Sequence, residues 1–130
     1  MKAYKHIKSG LVLELCCKVF GKPKDIISKF DFTITKFAYY KAEVEDAELG
    51  MTFTEYRVMY DDKFFEHLHM KRLVTDDLIL YPMSTFERTL RYAKYGYSPC
   101  RETKMKIAKA IRELSDEQIE LSKSLYDGMD

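Results

Sequence analysis

Asp31 is the side chain of this 130-residue chain best placed to do chemistry. It lies in Phe30-Asp31-Phe32-Thr33-Ile34-Thr35-Lys36-Phe37-Ala38-Tyr39-Tyr40, a largely apolar, β-prone run that holds one carboxylate and two threonines. A carboxylate there can help hold a divalent cation, or it can cap backbone N–H groups at a strand end. A second group is basic. Arg88, Arg91 and Lys94 recur at helical spacing, with Tyr92 and Tyr95 between them and Lys109 on the next helix. Such a surface can track phosphates while tyrosines stack on unpaired bases. The plainer reading is a solvated face balanced by the acidic tail, residues 116–130. His67 and His69 lie near Glu66, Asp61 and Asp62. On a helix, side chains two residues apart point about 200° apart, so a surface pair is expected and no metal site. Cys16 and Cys17 sit in an apolar stretch, where at least one is expected to be buried as a small hydrophobe.

Several elements must position these groups. Leu11, Leu15, Val19 and Phe20 recur at helical spacing, and Gly21 ends that helix. Pro23 suits the first turn of a second, short helix through Ile26 and Ile27. Residues 32–40 read as a strand and residues 52–59 as another, with the acidic stretch from Ala42 to Leu49 as a long hairpin loop closed by Gly50. Asp61 or Asp62 caps a helix carrying Phe64, Phe65, Leu68 and Leu73. Ser84-Thr85-Phe86-Glu87 has the form of a capping box. The helix it opens is expected to bury Phe86, Leu90, Ala93 and Tyr97, to show Arg88, Arg91, Lys94 and Tyr95 to solvent, and to stop at Gly96. Ser98-Pro99 opens a helix that buries Ile107, Ala110, Ile111 and Leu114. Ser115 with Gln118 is a second capping box and starts the last helix. The fold class expected is α+β, mostly helical, with a small antiparallel two-strand element.

The segment Asp31-Phe32-Thr33-Ile34 resembles an element of polymerase-β-type nucleotidyltransferases, found in CCA-adding enzymes and poly(A) polymerases. Phe64-Phe65-Glu66-His67-Leu68 with Lys71-Arg72-Leu73-Val74, and the helix ending Lys94-Tyr95-Gly96-Tyr97, extend the likeness over roughly residues 20–112. The resemblance implies a head-like remnant over 1–60 and a helical neck-like region over 61–130 within one domain, 1–130. It also implies Asp31 as the catalytic remnant and Arg88, Arg91, Lys94, Tyr95 and Lys109 as nucleic-acid-binding residues. Those enzymes carry a Gly-Ser turn and a metal-binding Asp-x-Asp pair upstream. Here Ser9-Gly10 is followed by no such pair, and Glu43-Val44-Glu45 comes after Asp31, in the wrong order.

Composition bounds what remains. The net charge of +1 predicts no strong whole-molecule attraction to nucleic acid. An odd count of three cysteines, two of them adjacent, fits a reduced, cytoplasmic protein. The longest early apolar run, Leu11 to Leu15, is too short to span a membrane. The leading expectation is therefore a non-catalytic nucleotidyltransferase-like module with no cofactor, binding single-stranded RNA or tRNA, or a protein. One alternative is a split enzyme that uses magnesium and is completed by a second chain. The other is an inhibitor or adaptor that binds a protein partner through a Met- and Tyr-rich face. Exposed apolar surface of this kind also suits a homo-oligomer.

Overall fold

The structure, a computed structural model, describes residues 2–15 and 19–126, with side chains through residue 122. Cys16 and Cys17 lie outside the described residues. The first expected helix is instead a strand. β1 (Lys2–Lys5) pairs antiparallel with β2 (Val12–Leu15), Lys2 opposite Leu15 and Lys5 opposite Val12. Gly10, at φ 72°, turns the chain back, and the His6 Nδ1 and Ser9 Oγ atoms lie 2.6 Å apart inside the turn. Once that reversal is made, a backbone ladder overrides the helical spacing of Leu11 and Leu15.

Pro23 opens α1 (Pro23–Ile27), which buries Ile27. The strand expected from residue 32 begins later. Thr33–Thr35 form a 3-10 turn, because the Thr35 hydroxyl donates to the Phe32 carbonyl at 2.7 Å and draws the backbone out of an extended ladder. β3 (Phe37–Asp46) then pairs with β4 (Met51–Tyr60) in one unbroken antiparallel register, from Phe37 opposite Tyr60 to Asp46 opposite Met51. The acidic stretch is thus the far half of a strand and not a long loop. Its reversal is short: Asp46 Oδ1 accepts the N–H groups of Glu48 and Leu49, and Gly50 takes φ 59°.

α2 (Phe64–His69) follows an Asp61 turn in which Asp61 Oδ1 accepts the Lys63 N–H. Leu73 lies past that helix, in β5 (Arg72–Leu73), which runs parallel to β6 (Ser98–Pro99). α3 is Pro82–Ala93, α4 Arg101–Arg112 and α5 Asp116–Tyr126. The Ser84 box is not made, since Pro82 sits in the first turn and Ser84 lies inside the helix. The Ser115 box is made: Ser115 N–H donates to Gln118 Oε1 at 2.9 Å, and Gln118 N–H to Ser115 Oγ at 3.2 Å. Gly96, at φ 84°, ends α3, with Tyr97 N–H bonded back to the Tyr92 carbonyl.

Phe32 and Leu73 are fully buried at the centre, with Ile27 and Ile107 beside them in the core set. Phe32 bridges to Thr75, and its ring meets Tyr92 edge-on at 5.9 Å. Apart from Pro82, the rest of the buried set is polar: Thr33, Lys36, His67, Thr75, Thr85, Thr89 and Thr103. α3 turns Thr85 and Thr89 inward and leaves Phe86, Leu90 and Ala93 exposed where burial was expected, while Arg91, Lys94 and Tyr95 are exposed as expected. The reason is local satisfaction. The Thr89 hydroxyl donates to the Phe86 carbonyl and the Thr85 hydroxyl to Asp31, so both small side chains enter the interior with their hydrogen bonds made. Among the described residues the protein is mixed α+β, with three two-stranded sheets beside its helices, which corrects the mostly helical expectation.

Candidate protein-docking face

Strand geometry sorts the β3–β4 hairpin into two faces. Phe37 and Tyr39 of β3 share one face with Tyr56, Val58 and Tyr60 of β4. Phe37 stacks on Tyr60 with centroids 5.7 Å apart and planes 8° apart, and Tyr39 stacks on Tyr56 at 5.7 Å and 13°. α2 extends the array, with Phe65 meeting Tyr60 edge-on at 5.0 Å and Phe64 meeting Phe37 at 5.1 Å. These rings cover one another only in part. Tyr39 is 68% exposed, Tyr56 63% and Phe65 56%. Rigid aromatic side chains half out of water, each with a flat apolar body and in several cases a hydroxyl, are the side chains that anchor protein interfaces.

An open recess of 470 Å³ lies beside the root of the hairpin, bounded in part by Ile27, Met59 and Tyr60. Lys36 and Asp61 are at its wall, and buried Lys36 forms an ion pair with the more exposed Asp76. Period-two aromatics on two paired strands are the sequence signal for this face: Phe37 and Tyr39, then Tyr56 and Tyr60. The register that joins them runs on through residues 42–46, paired with residues 51–55.

The residues singled out from sequence fall elsewhere. Asp31 is half-buried beside α3. Its Oδ1 accepts the Phe32 N–H at 2.9 Å, while its Oδ2 accepts the Thr85 hydroxyl at 3.3 Å and faces Arg88 Nε at 3.5 Å. Arg88 therefore points to Asp31 and also lies over the Tyr92 ring, 5.8 Å from its centroid. Arg91, Lys94 and Tyr95 are exposed at the end of α3, and Lys109 is exposed on α4. His67 is not on the surface; its Nδ1 lies 2.7 Å from the Thr33 hydroxyl in the interior. Among the described residues, no group of three His, Cys, Asp or Glu side chains is placed to hold a metal ion. Also among the described residues, no helix is long and apolar enough to cross a membrane.

Cys100 starts α4 with its Sγ 3.3 Å from the Thr103 hydroxyl. Partial burial raises its pKa, but the Thr103 hydroxyl and the backbone N–H groups of Thr103 and Glu102 outweigh that and hold the thiol below its ordinary value. Lys106 is held above its ordinary range by hydrogen bonds to Glu102 and Asp77.

Among known proteins, a model of the Gabija anti-defense 2 family matches residues 2–71. The match takes in both hairpins, α1 and α2, and so the whole aromatic face. No curated protein and no solved structure matches the chain. The family match overturns the nucleotidyltransferase resemblance and the nucleotidyltransferase-like and RNA-binding character drawn from it; it ends before Arg88, Arg91, Lys94, Tyr95 and Lys109 and does not bear on those residues. Within the short Asp-Phe-Thr motif, Asp31 ties its own turn to α3 through the Phe32 N–H and the Thr85 hydroxyl. The matched stretch is more than half of the 130 residues, and the chain belongs to the Gabija anti-defense 2 family.

Proposed function

We propose that this chain relieves Gabija defence by binding a protein component of that system through the aromatic face of β3–β4 and α2. The observation that carries the reading is the exposed ladder of Tyr39, Tyr56, Phe37, Tyr60 and Phe65, which lies inside the family-matched stretch. The partner's apolar side chains pack across the tyrosines, and one enters the recess beside Tyr60. An inhibitor of this kind works by occupancy. It needs no metal and no reacting group, only a surface that another protein covers.

The test is made in cells that carry the Gabija system. Wild-type chain is expected to relieve defence. Tyr39→Ala with Tyr56→Ala is expected to lose most of that relief at equal abundance. Both side chains are more than half exposed, so the double variant should stay folded. Relief that persists undiminished in the folded double variant would reject the aromatic face as the docking surface.

A further inference from the structure

Beyond the aromatic root, the β3–β4 hairpin changes character. After Phe37 and Tyr39 the same face carries Lys41 and then Glu43 and Glu45, and Glu48 and Leu49 lie in the turn, so the negative charge is confined to the tip. None of the three glutamates takes part in an ion pair among the described residues. The outward side of α4 has the opposite sign. Thr103 and Ile107 mark its buried side, so Arg101, Lys104, Met105, Ala108, Lys109 and Arg112 share the solvent side at helical spacing, while Glu102 beside them is paired with Lys106. Arg101, Lys104 and Arg112 have no carboxylate partner among the described residues. Large apolar side chains are also mostly exposed on both surfaces, Leu49 and Met51 at the tip and Met105 on α4.

From Glu43 to the turn the strand extends about 10 Å, and the basic stripe from Arg101 to Arg112 extends about 16 Å, so the stripe is long enough to seat it.

We propose that a second copy of this chain covers these surfaces. The acidic tip of each hairpin lies on the basic side of the other copy's α4, and the two contacts are related by a two-fold axis. Reciprocal exchange closes the assembly as a dimer, whereas a single contact repeated in one direction would grow without end. The dimer uses the tip of the hairpin and leaves the aromatic root to another protein, so it stands independently of the function proposed above.

Sedimentation equilibrium of the purified chain tests this directly. The wild type is expected at twice the chain mass in low salt. Raising salt from about 0.1 M to about 1 M shortens the Debye length from about 10 Å to about 3 Å and should shift it toward monomer. Glu43→Lys with Glu45→Lys, and separately Lys104→Glu with Arg112→Glu, should each weaken the dimer by at least about tenfold. Circular dichroism establishes that both variants stay folded. Mixing the two variants restores opposite charge at both contacts, and a heterodimer is expected to form. A monomeric wild type at every concentration, open-ended growth, or a mixture of the two variants that stays monomeric would overturn the proposal.

Discussion

Phe32 has no exposed surface and touches three parts of the fold: its own 3-10 turn, Thr75 across a backbone bridge, and the Tyr92 ring on α3. Phe32→Ala should therefore cost about 3–5 kcal/mol in urea unfolding, through lost burial and the cavity left behind. Thr75 poses the opposite case. Its Oγ1 is buried without a hydrogen-bond partner, although its N–H donates to the Thr103 hydroxyl. Thr75→Val keeps the shape and removes the unsatisfied hydroxyl, so it should stabilise the protein by about 1 kcal/mol. A loss of stability in the same unfolding measurement would mean that the hydroxyl has a partner. At Cys100 the sign of the pKa shift sets a titration. Hydrogen bonds from Thr103 and Glu102 favour the thiolate, so alkylation by iodoacetamide should reach half its maximal rate at lower pH than for an unstructured cysteine peptide. The Cys16→Ser, Cys17→Ser background isolates this thiol. Thr103→Val should move the midpoint up, because it removes one of those hydrogen bonds.

At the scale of elements, much was legible from local chemistry. Pro23, Gly96 and the Ser115–Gln118 box mark α1, the end of α3 and the start of α5, because each signal acts within a few residues. What the sequence hid depends on distant partners. Leu11 to Leu15 has a helical apolar spacing, yet the Gly10 turn delivers it to β1. α3 shows how far this can go: its apolar stripe of Phe86 and Leu90 faces out while Thr85 and Thr89 face in, since Asp31 and the helix's own carbonyl take their hydroxyls. Leu90 is 54% exposed, so Leu90→Ala should change stability by less than about 0.5 kcal/mol. A cost of about 2 kcal/mol or more would place Leu90 in a packed core after all. The docking face was half legible. Its tyrosines were visible as an apolar, Tyr-rich surface, but their arrangement needed the full ten-residue register of β3 on β4.

As a whole, the molecule has a small core rich in threonine and a large apolar exterior. Tyr4, Leu11 and Leu13 on the first hairpin are exposed, as are Tyr39 and Tyr56 on the second. A two-stranded hairpin is marginal by itself, and covering it with another protein stabilises both the hairpin and the complex. That is a consistent physical basis for a member of an anti-defence family to act as a binding protein. The most direct measurement is isothermal titration calorimetry of the purified chain with each purified Gabija protein. A saturable complex with one of them is expected, and Tyr39→Ala with Tyr56→Ala should weaken it at least about tenfold, the loss expected when interface anchors are removed. Absence of a complex with every Gabija protein, or an affinity unchanged in the double variant, would contradict the assignment of this face.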